Sequence, residues 1–212
     1  MFKKLSYIGL LLFLAMGLVT GPARAESYKE GVEYLRIAEQ PTESVDKVEV
    51  LEFFWYGCPH CYQFEPILEA WKKTAPAHVE FIRVPAVFRP EWKVHARTYY
   101  ALQAMGLGEK YHGAIFDAIH KDKNDLYSEA AMTEFLASNG VNKDDFKAAY
   151  DSFSIDGQLR KAIQKVQGYG IKGVPAIGVN GKYLVSGSSA GSYENMLRIV
   201  DYLIKKEAAA IK

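Results

Sequence analysis

Cys58 and Cys61, the two cysteines of the chain, stand in one four-residue stretch, Cys58-Pro59-His60-Cys61. The stretch follows the apolar run Val48-Glu49-Val50-Leu51-Glu52-Phe53-Phe54-Trp55-Tyr56, is separated from it by Gly57, and opens a helical pattern. A Cys-x-x-Cys pair at such a junction reads as a redox site. Two other uses of the pair are weaker. A disulfide closing so small a loop stabilises little through chain entropy, so a structural clip is a poor reading. A structural zinc site takes four protein ligands, and His78, His95, His112 and His120 lack paired ligand spacing. Surface or internally satisfied histidines are the simpler reading for all four.

The spacing also orders the two sulfurs. A strand that delivers Cys58 to a helix N-terminus places its sulfur near the unpaired N–H groups of the first turn, which favour a thiolate. Cys61 lies three residues on, on the same helical face, and can close the disulfide. Cys58 is therefore expected to be the exposed nucleophile and Cys61 the buried resolving thiol. Pro59 fits the first helical position, where a missing N–H costs nothing. His60 can stabilise the Cys58 thiolate further through its charge or its ring N–H, which makes the disulfide more oxidising; the alternative is a solvent-exposed spacer.

Glu52 is a carboxylate in the middle of an apolar strand, costly unless it has a partner or a task. Burial would raise its pKa and let it pass a proton to or from Cys61. The alternative is an edge position, or a salt bridge to a lysine of the neighbouring helix. Glu65, one helical turn past Cys61, can join the same network or lie on the helix surface. Gly173-Val174-Pro175 precedes a later strand. A cis Val174-Pro175 bond would present backbone groups beside the disulfide for strand addition by a substrate chain; base rates for X-Pro bonds favour trans.

The elements that must position these residues follow from periodicity. Residues 48–56 read as a buried central strand. Phe64, Ile67, Leu68 and Trp71 recur at helical spacing from Pro59 to about Thr74, with a kink expected at Pro66. Val79–Val84 alternates as a strand. From about Pro90 to Gly168 only helical patterns occur, with Ser128 and Asn142 as caps. Ala176–Val179 and Tyr183–Val185 flank Asn180-Gly181, a hairpin signal. Ser192 can cap a last helix carrying Met196, Leu197, Val200, Leu203 and Ile204. The order β-α-β, helical block, β-β-α is best explained by a helical block inserted into one sheet domain.

The N-terminus indicates the compartment. Lys3 and Lys4, the apolar run Leu5–Val19 and Ala23-Arg24-Ala25 form a secretory signal with a cleavage site after Ala25. A membrane anchor is the alternative, but the run is short of the roughly 20 residues a span needs. Removing Lys3, Lys4 and Arg24 takes the net charge from +1 to about −2, which argues against nucleic acid or an anionic membrane as the main partner. A composition of 49% hydrophobic and 24% charged residues is that of an ordinary globular protein. The mature chain of about 187 residues can bury one core or a core with a second lobe.

Glu52-Phe53-Phe54, Cys58-Pro59-His60-Cys61-Tyr62-Gln63-Phe64-Glu65, Gly173-Val174-Pro175-Ala176 and Val179-Asn180-Gly181-Lys182 together closely resemble the DsbA family of bacterial periplasmic thiol–disulfide oxidoreductases, over essentially the whole mature chain. The resemblance implies an α/β, thioredoxin-like fold with an inserted helical domain: a leader at 1–25, the first part of the thioredoxin-like domain at 26–88, the insertion at 89–168 and the second part at 169–212. It implies Cys58 as nucleophile, Cys61 as its partner, His60 as tuner, Glu52 and Glu65 as a buried acidic network, and Pro175 as a cis-proline preceded by Val174. It also implies no cofactor beyond the Cys58–Cys61 disulfide, unfolded reduced exported proteins as substrates, reoxidation by a DsbB-like inner-membrane quinone reductase, and a periplasmic monomer. Trp55, Tyr56 and the residues flanking Pro175 are candidates for an apolar docking surface, although core packing is the more common fate of such aromatics.

Two other functions remain open on the residues. One is a reductase or isomerase on the same fold, although a dimeric isomerase needs an N-terminal dimerisation domain and only about 20 residues separate Ala25 from the strand. The other is a peptide-binding chaperone with an incidental disulfide, whose function would survive substitution of Cys58.

Overall fold

The structure is a computed structural model and describes residues 27–210. The leader expected at 1–25 lies outside the described residues. Among these, the chain forms a five-stranded sheet ordered β1-β5-β4-β2-β3. Its strands are β1 (Leu35–Arg36), β2 (Val48–Phe54), β3 (Val79–Pro85), β4 (Ala176–Val179) and β5 (Tyr183–Ser186). β2 and β3 are parallel, with Glu52 opposite Arg83 in the register. β2 and β4 are antiparallel, as are β4 and β5.

Every residue of β2 is buried. Successive side chains of a strand point to opposite faces, and two cores follow. Val48 and Val50 pack with Phe64, Leu68 and Trp71 of α1 (Pro59–Lys72) and with Met196, Ile199, Val200 and Leu203 of α8 (Tyr193–Ala208). Leu51 and Phe53 pack on the other face with Ala162 and Val166 of α6 (Phe153–Gly168) and with Tyr169. There the Tyr169 ring lies so close to β4 that a Cβ on Gly178 would come within 2.3 Å of it.

Between β3 and β4 the chain is helical: α2 (Lys93–Ala104), α3 (Gly108–His120), α4 (Glu129–Ser138), α5 (Lys143–Tyr150) and α6; the short α7 (Gly187–Ala190) lies between β5 and α8. The expected caps form. Ser128 accepts from the N–H of Ala131, Asn142 from those of Asp144 and Asp145, and Ser192 from that of Asn195. The hairpin between β4 and β5 turns at Asn180 (φ 49°) and Gly181 (φ 67°), the left-handed pair that suits a two-residue turn. A third core joins Leu102, Tyr111, Ile115, Phe116, Met132, Leu136 and Phe146 of the helical segment to Phe54, Tyr56, Cys58 and Cys61. The helices thus cover the end of β2 that carries the cysteines. α1 continues unbroken through Pro66, so the proline expected to kink the helix does not end it; its ring lies on the exposed side. β2 ends at Phe54, two residues earlier than the apolar run suggests.

Candidate active site

Phe54 leaves the sheet into the turn Trp55-Tyr56-Gly57, which closes as the Cys58 N–H donates to the Trp55 carbonyl at 2.9 Å. A Cβ at position 57 would meet the Trp55 ring at 2.4 Å, so any other residue there would have to displace that ring. Cys58 is the extended N-cap of α1, with Pro59 at the first helical position. The Cys58 side chain makes no capping hydrogen bond; as a neutral thiol it donates to the Val174 carbonyl at 3.4 Å. On ionisation the sulfur can only accept, and the free N–H groups of the first turn are what it faces.

The Val174–Pro175 peptide bond is cis, against the base-rate expectation of trans. This segment lies against Cys58 and covers it. Cys58 is 7% exposed and Cys61 0%, so the expectation of an exposed nucleophile is corrected. Cys58 is the more accessible of the two residues, and the Val174 carbonyl on its sulfur is part of what covers it.

The two thiols have opposite electrostatics. A hydrogen bond from the Cys61 thiol is the largest influence on Cys58; against the cost of burial, it acts with the N–H groups of Cys61 and His60 and the His60 charge to bring the Cys58 pKa down to about 6. Burial pushes the Cys61 thiol well above its ordinary value, and its neighbour Cys58 adds to the rise. His60 is exposed, and its Nδ1 lies 3.2 Å from the Tyr193 hydroxyl.

Beneath the thiols lies a charge cluster. Glu52 is completely buried. Arg83 donates from Nε to Glu52 at 3.0 Å, and from its terminal nitrogens to Glu65 at 2.6 Å, to Glu109 at 3.3 Å and to Glu69. Lys72 also donates to Glu69, at 2.7 Å. The expected partner of Glu52, a lysine of the neighbouring helix, is therefore replaced by an arginine of the neighbouring strand. One guanidinium cannot neutralise every carboxylate around it. Glu69, at the rim, feels the cost of burial, but its hydrogen bonds from Lys72 and Arg83 hold it down at about 2. Burial, then the Glu65 charge, push Glu52 up to about 8 despite Arg83. Glu52 thus keeps its proton at neutral pH; once ionised, its charge adds to the rise of the Cys61 pKa.

Glu65 reaches a second buried group. His112 Nε2 lies 3.3 Å from its carboxylate, and His112 Nδ1 is 2.9 Å from the Tyr56 hydroxyl. Burial lowers the His112 pKa. A neutral ring that accepts from Tyr56 at Nδ1 carries its proton on Nε2, on the side of Glu65, although that nitrogen makes no hydrogen bond. His120 Nε2 is 2.7 Å from the Tyr56 carbonyl, and His95 packs against the Tyr56 ring with centroids 6.0 Å apart. The histidines that look scattered in the sequence therefore converge, three of four, on Tyr56. Each of the three has a hydrogen-bond partner, the Leu126 carbonyl for His95, the Tyr56 hydroxyl for His112 and the Tyr56 carbonyl for His120, but the second nitrogens of His95 and His112 are buried without one. Among the described residues, no group of three or more His, Cys, Asp or Glu side chains is placed to hold a metal ion.

Tyr56 is 1% exposed and is not available as a docking residue. Trp55 is half-buried and stacks on Trp92 at 3.8 Å. Arg83, Glu69 and His112 escaped the sequence reading. Arg83 had a visible signal, a lone cation in a strand beside a strand with a lone carboxylate. His112 had none, since its partners come from distant segments.

A groove of about 780 Å³ is lined by His60, Val174, Pro175, Leu184 and Tyr193, and by Ser186, Ser188 and Ser192. Its size suits a ligand of modest dimensions or an extended peptide segment.

The DSBA-like thioredoxin domain family matches residues 78–197. The thiol:disulfide interchange protein DsbA of Pseudomonas aeruginosa is 44% identical over 205 residues, 96% of this chain and 97% of that protein. That of Azotobacter vinelandii is 48% identical over 183 residues, 86% of each. The chain belongs to the DsbA family. The crystal structure of the Pseudomonas aeruginosa DsbA superposes with a TM-score of 0.83 at 44% identity, covering 86% of this chain and 96% of that one. The DsbA oxidoreductase of Xylella fastidiosa superposes with a TM-score of 0.80 at 34% identity, covering 86% and 98%. As in the DsbA family, the fold is a thioredoxin-like domain with a helical insertion, and the protein is a thiol–disulfide oxidoreductase.

The thiol electrostatics predict a pH signature. The Cys58 pKa is about 6 in the folded reduced protein, below that of an unfolded thiol near 8.5. The unfolded chain then binds more protons between these values, and stability rises with pH. The difference in unfolding midpoint between reduced and oxidised protein should therefore shift in favour of the reduced form as pH rises from about 6 to about 8.5. It should reverse above that, where Cys61 ionises only in the unfolded chain. Parallel thermal melts of both redox forms check this; a difference independent of pH contradicts the assigned thiol pKa values.

Proposed function

We propose that the protein is a periplasmic dithiol oxidase that donates its Cys58–Cys61 disulfide to reduced, newly exported proteins. The observation that carries this reading is the asymmetry of the two thiols: Cys58 is stabilised as a thiolate and Cys61 as a thiol. A substrate thiolate attacks Cys58 Sγ, the Cys58–Cys61 bond breaks, and a mixed disulfide forms at Cys58. Cys61 leaves with the electron pair and, with its raised pKa, needs a proton. Glu52, still protonated at neutral pH, supplies it, with Glu65 and Arg83 setting its charge state. A second substrate thiolate then attacks the substrate sulfur of the mixed disulfide and displaces Cys58 as a stable thiolate. The substrate loses two electrons, and the protein leaves as the dithiol.

His60 tunes Cys58, and Pro59 starts the helix that serves it. Val174 and Pro175 present backbone to an extended substrate segment along the groove, a role supported by the Val174 carbonyl's contact with the sulfur. Oxidising power must be restored after each cycle, and a DsbB-like inner-membrane quinone reductase is the expected reoxidant. The leader at 1–25 and the near-neutral mature charge support export, with nucleic acid not a partner. The disulfide is the redox group, no further cofactor is invoked, and a monomer suffices for the chemistry. The division into 26–88, 89–168 and 169–212 belongs to the same proposal and is supported by the run of helices α2–α6 between β3 and β4.

Equilibration of the Cys58–Cys61 couple with a glutathione buffer tests the reading. An oxidase requires a potential well above the roughly −180 mV of protein disulfide isomerase; a value near the roughly −270 mV of thioredoxin would instead make the protein a reductase. Proton donation by Glu52 is tested by Glu52→Gln. Single-turnover oxidation by the wild type should exceed that of the variant by about tenfold or more below pH 8, as expected for a general acid. The ratio should fall toward one above pH 8, where Glu52 loses its proton. A constant ratio would remove Glu52 from the proton path.

A further inference from the structure

His60 stands between the cysteines, yet it is exposed. A surface imidazole free to turn into water would contribute little to a neighbouring thiolate, because an exposed charge is strongly screened. One side chain from a distant segment reaches it. The hydroxyl of Tyr193, the first residue of α8, lies 3.2 Å from His60 Nδ1.

Tyr193 is itself held in place. Its ring packs on Phe64 of α1 with centroids 5.3 Å apart, and Ser192 caps the helix that carries it. Burial raises the Tyr193 pKa, and the charges of Cys58 and Cys61 add to the rise, so the residue lies within electrostatic reach of both sulfurs. The pairing works in either charge state of the ring. Neutral His60 protonated at Nε2 accepts the Tyr193 O–H at Nδ1, and the imidazolium donates its Nδ1–H to the Tyr193 oxygen. In both cases the hydroxyl restricts the ring to the neighbourhood of Cys58. The other charged groups along this groove, Lys172 and Glu194, are exposed.

We propose that Tyr193 is a positioning residue of the redox couple, its hydroxyl holding the His60 ring beside Cys58 and so supplying part of the stability of the Cys58 thiolate. Tyr193 touches neither sulfur nor substrate in this role; it acts through His60. The proposal rests on the reading of His60 as the tuner of Cys58.

The test is a double-mutant cycle on the intact protein with Tyr193→Phe and His60→Ala, following thiolate absorbance of the reduced form against pH. Phenylalanine keeps the ring on Phe64, so the unfolding midpoint of the oxidised protein should not move. Tyr193→Phe should weaken the Cys58 thiolate equilibrium roughly three- to tenfold, the range of one hydrogen bond. The glutathione equilibrium should shift by a comparable factor toward the disulfide, read at a pH above both Cys58 pKa values. In the His60→Ala background the same substitution should change nothing. If His60→Ala weakens the thiolate and Tyr193→Phe does not, the positioning role is overturned and the tuning role of His60 stands. If His60→Ala has no effect, the tuning role fails and the proposal with it. If Tyr193→Phe acts equally with and without His60, the hydroxyl works by another route and the proposal is overturned.

Discussion

The first turn of α1 has N–H groups with no acceptor inside the helix, and the chain ends its central strand so that Cys58 is the residue facing them. Much of the structure can be traced to keeping that junction in place. β2 is buried along its whole length, which fixes where the strand ends. Gly57 permits the tight turn under the Trp55 ring, and Pro59 begins the helix at once. The helix terminus alone is a modest stabiliser, about 0.3–1 kcal/mol for a charge near it. A hydrogen bond to a charged group contributes about 1.5–3 kcal/mol. The Cys61 thiol is therefore the larger influence, and the junction matters because it brings both effects to one sulfur.

The same geometry that favours Cys58 penalises Cys61. Cys61 lies one turn inside the helix, against the core that α2–α5 build over the end of β2. It loses its hydration, and that cost outweighs the help of the one backbone group, at Trp55, that favours its charged form. The buried cluster around Arg83 continues this gradient. Glu69 at the rim is ionised, while Glu52 in the interior keeps its proton at neutral pH. A proton held near Cys61 and a negative charge favoured at Cys58 follow from burial and from one cation shared among several carboxylates, without special chemistry in any single residue.

What could be read from the sequence was what local chemistry dictates. The Cys58–Cys61 motif, the caps at Ser128, Asn142 and Ser192, the Asn180-Gly181 hairpin and the oddity of Glu52 are all signals contained in a few consecutive residues. The family resemblance added the cis bond at Pro175, which residue statistics alone would have made trans. The misses share a cause. Arg83 as the partner of Glu52, His112 beside Glu65, the burial of Tyr56 and the cover over Cys58 all depend on contacts between segments 30 or more residues apart or supplied by the register of two strands. Such pairings are decided by the whole core.

The central claim is that the two thiols ionise at widely separated pH values, Cys58 early and Cys61 late. Pulse alkylation of the reduced, folded protein across pH, with each cysteine quantified separately by peptide mass, measures this directly. Cys58 should react with a midpoint near 6 while Cys61 stays unmodified beyond pH 9, where an ordinary thiol is already ionised. Two cysteines alkylated together with midpoints near 8.5, the value of a free thiol, would contradict the account.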